Sequence, residues 1–120
     1  MTSKLKYGSI WLANLNPPHL SEPGKTRPVL IVQHQFLLDA IHPSTIIIPL
    51  TTNLIDDAEP LRLRVISQQD LAKDSDLLID QVRAIDNKRL VQGPMAHLSD
   101  IFMGKVHQCL QDLLGITTHG

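Results

Sequence analysis

Ser44-Thr-Ile-Ile-Ile-Pro-Leu-Thr-Thr52 is the strongest β segment of the chain, dense in β-branched residues, and its reading sets the fold class. Pro49 inside it has no N–H for a ladder, which predicts a sheet edge, a bulge or the strand's end at that point. On its N-terminal side, Pro28-Val-Leu-Ile-Val-Gln33 is a nearly continuous apolar run, the pattern of a strand buried on both faces. Residues 34–41 between them suit a short helix or an irregular link, reset by Pro43. Further back, Gly8-Ser-Ile-Trp-Leu-Ala-Asn-Leu15 reads as a first strand, stopped by Pro17-Pro18.

C-terminal to the central run, Leu61-Arg-Leu-Arg-Val65 alternates strictly and describes a strand with one face in water. Ser67-Gln-Gln-Asp70 has the spacing of a capping box and predicts a helical turn over 68–73. Leu77-Leu-Ile-Asp-Gln-Val82 and Arg89-Leu-Val-Gln92 read as two more short strands. From Ser99 the period becomes helical, with Phe102, Val106, Cys109, Leu110 and Leu113 on one stripe, Ser99 as N-cap, Asp100 in the first turn and Gly115 just past the end. Short strands followed by one terminal helix predict an α+β fold: an antiparallel sheet of five or more strands, or a small barrel, with helices on one side.

The 120 residues, 42% of them apolar, suit a single domain over 1–120 with one core. No apolar run reaches the roughly 20 residues that span a bilayer, and the start Met1-Thr-Ser-Lys-Leu-Lys6 is not a secretory leader, so a cytoplasmic protein without membrane contact is expected. The lone Cys109 reads as a buried structural thiol. A net charge of -1 argues against a protein that coats nucleic acid indiscriminately. Yet Lys4, Lys6, Lys25 and Arg27 face only Glu22 in the first 38 residues, which allows a local basic surface.

None of the six histidines pairs at i,i+4 on a helix or joins an acidic cluster at ligand spacing, so no metal site and no cofactor are expected. Gly24-Lys-Thr26 lacks the glycine a phosphate loop needs at position 19, which is His19. What remains is Ser21-Glu-Pro-Gly-Lys-Thr-Arg27-Pro28, a polar loop that delivers an arginine to the start of a buried strand. Arg27 there can grip a phosphate through two parallel hydrogen bonds, or pair with Glu22 on the surface. Thr51 and Thr52 offer hydroxyl donors to an anion, or simply end a strand. Asp80 interrupts an apolar run where alternation half-buries it, poised for proton transfer or for a structural ion pair with Arg83.

Four ordered motifs over Lys6 to about Leu114 resemble the MazF/PemK/Kid family of type II toxin–antitoxin toxins. They are the opening strand Gly8 to Pro17; Ser21-Glu22, Gly24 and Arg27-Pro28 with its hydrophobic strand; Ile46 to Thr52; and Asp80-Gln-Val-Arg-Ala-Ile-Asp86 with Lys88-Arg89-Leu90. The resemblance implies a small SH3-like antiparallel barrel or sheet of the CcdB/MazF type with a C-terminal helix, in a homodimer. It implies sequence-specific cleavage of single-stranded RNA, messenger RNA foremost, without a metal. The 2′-hydroxyl attacks to leave a 2′,3′-cyclic phosphate and a 5′-hydroxyl, and a cognate MazE/PemI-like antitoxin restrains the toxin.

On that template Arg27 stabilises the phosphate and protonates the leaving group, Thr51 orients the phosphate, and Asp80 is the base. Glu22, Lys25 and Thr26 of the loop, Thr52 beside Thr51, and Gln81 and Arg83 beside Asp80 are candidates for substrate binding, with His19 as a stand-in for the histidine some members carry at the position of Ser21. Leu78 stands where those members have arginine, Leu20 where glycine is usual, and Pro23 where glutamine is usual. Two other classes share the fold: a CcdB-like gyrase poison, for which Gly115-Ile116 is an echo lacking the preceding tryptophan, and an inactive RNA-binding module.

Overall fold

A computed structural model describes residues 4–16 and 25–116. The strands are β1 (Ser9–Asn14), β2 (Thr26–Ile31), β3 (Ser44–Thr51), β4 (Arg62–Val65), β5 (Ser75–Leu78), β6 (Arg83–Asp86) and β7 (Leu90–His97), with helices α1 (Gln35–Asp39) and α2 (Asp100–Leu114). They form one antiparallel seven-stranded sheet ordered β4-β5-β3-β2-β1-β7, with β6 beside the first half of β3. This is the α+β arrangement expected from strands followed by a terminal helix.

β3 lies at the centre, so Pro49 occupies neither an edge nor a strand end. It is tolerated because the partners on one side of β3 change there. β6 pairs with residues 44–47 of β3 and β5 with 50–51, so Pro49 falls between two ladders. From Leu50↔Leu77 to Ile47↔Arg83, β3 moves by three residues and the opposing chain by six, so three residues are looped out. They are the 3-10 turn Ile79–Gln81. The strand expected over 77–82 is therefore only the end of β5 followed by this turn, and β6, which begins after it at Arg83, went unread because its four residues are too short for a period.

β1, β2 and β3 are covered on both faces. Ile10, Leu30, Ile48 and Leu50 pack with Leu63, Leu77 and Met103, Val106 and Cys109 of α2. On the other face Trp11, Val29, Ile31 and Ile47 pack with Leu38 and Ile85. α2 starts and stops as expected: the Ser99 side chain accepts the Phe102 N–H, and Gly115 at φ 70 caps the C-terminus. That position gives Gly115 a role in ending the helix.

Residues 68–73 do not form a helical turn. Gln68 and Leu71 make an isolated antiparallel bridge, and Gln69 takes a left-handed φ of 52. Tertiary contact overrides the local capping signal: the Gln69 amide accepts the His97 N–H at 3.0 Å and donates to the His97 carbonyl at 3.2 Å, while the Asp70 N–H donates to Met95 O at 2.8 Å. The segment after β4 thereby covers the free edge of β7, joining the two ends of the sheet order.

A Cβ on Gly93 of β7 would stand 2.5 Å from Trp11 Cδ2, whereas one on Gly104 of α2 would meet nothing within 4 Å. Gly93→Ala is expected to lower stability by about 1–3 kcal/mol through overpacking. Gly104→Ala should raise it by about 0.5–1 kcal/mol through helix propensity. Urea unfolding of the two variants beside the parent chain checks both signs.

Candidate functional site

Arg27 enters the sheet opposite Ala13 of β1, and its neighbour Pro28 lies opposite Leu12. The Val32 N–H donates to Ile46 O, and antiparallel alternation from that pair points the nitrogens of residues 30 and 28 at β3. Residue 28 is proline and has no hydrogen to give, so the Leu50 carbonyl loses its ladder donor. The Arg27 Nη1 donates to that carbonyl instead, at 3.3 Å. An Arg-Pro pair at a strand start thus turns the arginine side chain back onto the sheet.

Continuing the β2–β3 register from Val29↔Pro49 by two residues sets Arg27 opposite Thr51. Thr51 Oγ1 accepts the Asn53 N–H at 3.2 Å, which leaves the hydroxyl hydrogen available to a ligand. Arg27 and Thr51 share a hollow of about 240 Å³ with Thr26, Pro28, Leu50, Thr52 and Ser75. Partial burial lowers the proton affinity of the Arg27 guanidinium from its ordinary value. The arrangement, a half-buried cation with hydroxyl donors around it, is suited to an anion.

The margins of the hollow are held by backbone capture. Lys25, exposed and at φ 65, donates its N–H to Asn16 Oδ1 at 2.6 Å, and its carbonyl accepts the Leu15 N–H at 2.9 Å. Arg89 Nη1 donates to the carbonyls of Asn14 and Asn16 at 3.1 and 2.8 Å. His19 and Glu22 lie outside the described residues.

Asp80 does not join Arg27 and Thr51. It is exposed on the looped-out turn, contrary to the half-burial that alternation implied, because the turn lifts it off the strand. With Gln81 it lines a second hollow of about 340 Å³, together with Ile55, Ala58, Leu61, Arg62 and Leu78. Arg83 lies on β6 opposite Ile47, half-buried.

Between the two hollows stands a cluster that the sequence reading missed. Asp76 of β5 pairs in register with Thr51 on one side and Arg64 on the other, and it is 1% exposed. Arg64 Nε donates to Asp76 Oδ1 at 2.5 Å and Arg62 Nη1 to Oδ2 at 3.3 Å. The Ile55 N–H reaches Oδ2 at 2.9 Å, Arg62 Nη1 also donates to Asn53 O at 2.8 Å, and Arg64 Nη2 to Asp56 Oδ1 at 2.8 Å. The charged face of β4, read as facing water, stays partly exposed and also folds over a buried carboxylate.

Among the described residues no group of three His, Cys, Asp or Glu side chains is placed to hold a metal ion, and no helix is long and apolar enough to cross a membrane. Burial, reinforced by Glu59 and Asp112, raises the Cys109 thiol above its usual range, in keeping with a structural residue.

A curled antiparallel sheet with a terminal helix, bearing an arginine–threonine hollow at the end of its central strands, defines a small α+β domain. The chain belongs to the family of PemK-like, MazF-like toxins of type II toxin–antitoxin systems, whose model matches residues 6–114. It is 31% identical over 113 residues to Endoribonuclease EndoA of Bacillus subtilis, a match covering 93% of this chain and 96% of that one. The fold is shared with Mycobacterium tuberculosis toxin MazF-mt6, with a TM-score of 0.75 at 17% identity over 92% of this chain and 99% of that one. MazF from Deinococcus radiodurans gives 0.75 at 19% over 92% and 96%.

Burial would raise the pKa of Asp76, but the hydrogen bonds from Arg64, the Ile55 N–H and Arg62, with the Arg64 charge, outweigh it and hold the carboxyl below its ordinary value. The stability this contributes is fully present above the unfolded carboxyl's pKa of about 4 and is lost as pH falls through the lower folded value. Asp76→Asn should therefore lower stability at pH 7 by about 3–5 kcal/mol, and the deficit against the parent chain should shrink below pH 4. Urea midpoints between pH 7 and pH 3 measure it; a deficit independent of pH would contradict the ion-pair origin.

Proposed function

We propose that this chain is the toxin of a type II toxin–antitoxin pair, a single domain over 1–120 that acts in the cytoplasm as a homodimer and cuts single-stranded RNA without a metal. The observation that carries the reading is the Arg27–Thr51 hollow, a preformed place for a phosphate at the position the family motifs mark. The name of the Bacillus subtilis relative supports the reaction class. A mycobacterial endoribonuclease of the same fold, with a TM-score of 0.75 at 16% identity over 96% of this chain and 99% of that one, is in complex with its cognate antitoxin. On this reading an acidic antitoxin segment covers the same cations, Lys25 and Arg27, that attract RNA.

The reaction forms a bond from the ribose 2′-oxygen to phosphorus and breaks the bond from phosphorus to the 5′-oxygen. Asp80 takes the 2′-hydroxyl proton. Arg27, its proton affinity lowered by burial, faces the negative charge that builds on the phosphoryl oxygens and supplies the proton to the departing 5′-oxygen. Thr51 donates its hydroxyl hydrogen to a non-bridging oxygen. Thr26 and Thr52 line the same hollow, Gln81 accompanies Asp80, and Arg83, on β6, keeps its proposed role in binding the substrate. Because Asp80 stands in the neighbouring hollow, the RNA lies across both and the 2′-hydroxyl proton reaches Asp80 through a bridging water. Glu22 and His19 keep their proposed role in substrate binding.

Purified protein incubated with a mixed-sequence single-stranded RNA in excess EDTA should yield cyclic-phosphate and 5′-hydroxyl ends. Arg27→Ala should slow cleavage by about 10²–10³-fold, the scale for losing one donor to the developing charge. Asp80→Asn should slow it by about 10²–10⁴-fold, the scale of general-base catalysis. Absence of cleavage in EDTA, or full activity of Arg27→Ala, would overturn the reading.

A further inference from the structure

The second hollow holds more than proton transfer requires. Ile55 and Leu61, which line it, are 50% and 48% exposed, so aliphatic surface lies open to the hollow. Leu78 also lines it, and Arg62 and Asp80 bring opposite charges to the lining. Aliphatic surface with polar groups at the margins fits a flat ring whose faces are apolar and whose edge is polar, as in an unstacked base of single-stranded RNA.

Arg62 is not a loose surface arginine. Its Nη1 is committed to Asn53 O and Asp76 Oδ2, and its side chain keeps 20% exposure. Fixing one end of a planar guanidinium orients the whole fork, so the remaining donors have a set direction. Asp76, itself gripped by Arg64 and the Ile55 N–H, keeps both Arg62 and the lining residue Ile55 in place. β5 joins this hollow to the phosphate hollow: Ser75 lines one and Leu78 the other, about 10 Å apart along an extended strand.

Guanidinium groups only donate, so the edge they favour is one that accepts. On the edge that carries O6 and N7 in guanine and O4 in uracil only acceptors are presented, whereas adenine and cytosine oppose a donor there with their N6 and N4 amines. We propose that the hollow between Arg62 and Asp80 seats the base of a nucleotide beside the cut, and that Arg62, held by Asp76, selects guanine or uracil there. This rests on the ribonuclease reading above; Arg62 is the specificity-determining residue and Asp76 a positioning residue that does not touch the base.

The test is to digest a randomised single-stranded RNA pool in EDTA with the parent chain, Arg62→Gln and Asp76→Asn, and to sequence the cut ends. Urea unfolding confirms that each variant is folded. The parent should show guanine or uracil enriched at one position flanking the cut. Arg62→Gln should lose that enrichment by on the order of tenfold while preferences at other positions persist, and Asp76→Asn should show the same selective loss. Should Asp76→Asn fail to fold, Arg62→Lys, which keeps the charge without the fork, stands in for it and should lose the enrichment in part. A parent chain that cuts with no such preference, or a folded Arg62→Gln that retains it, overturns the inference while leaving the ribonuclease reading intact. A parent chain that cuts nothing overturns both.

Discussion

Two prolines in the middle of a sheet, Pro28 on β2 and Pro49 on β3, are the constraint on which the rest of the site depends. A central strand ordinarily satisfies its backbone on both sides, and each proline removes one donor from it. At Pro28 the orphaned acceptor is Leu50 O, and the Arg27 guanidinium fills the place. At Pro49 the ladder changes partner from β6 to β5, and the intervening chain loops out as the turn that carries Asp80 and Gln81. The two interruptions thus place the proposed cationic and acidic halves of the site, and the covered interior of β1 to β3 keeps the interruptions from spreading.

The Asp76 cluster is the second element of this design. A carboxylate that is 1% exposed is tolerated only with several donors. Here two arginines and a backbone N–H meet it. Those donors come from β4 and from the stretch after Thr51, so satisfying one buried charge also fixes the loop that separates the two hollows. The cluster contributes order at this place in addition to its share of stability.

The elements with long, clean periods were legible in the sequence. The stripe from Phe102 to Leu113 with Ser99 and Gly115 at its ends gave α2, and the apolar runs at Val29 and Ile46 gave the central strands. Where short-range signals competed with tertiary demands, the reading went astray. Ser67 to Asp70 carried a capping pattern, but the edge of β7 claimed Gln69. Alternation at 61–65 was read correctly as a strand with one buried apolar face and one partly exposed charged face, but no local pattern reveals that Asp76 waits across the ladder. Arg27 and Thr51, marked by motif, were brought together, whereas Asp80 was separated from them by a looped-out turn that depends on pairing far away in sequence.

The central claim is that the Arg27–Thr51 hollow takes an RNA phosphate. The most direct measurement is the salt dependence of binding for a single-stranded RNA made uncleavable by 2′-deoxy substitution, comparing the parent chain with Arg27→Gln by fluorescence anisotropy. A lost phosphate contact should weaken binding and flatten the slope of log affinity against log salt by about 0.7. An unchanged slope and affinity in a folded Arg27→Gln variant would contradict the account.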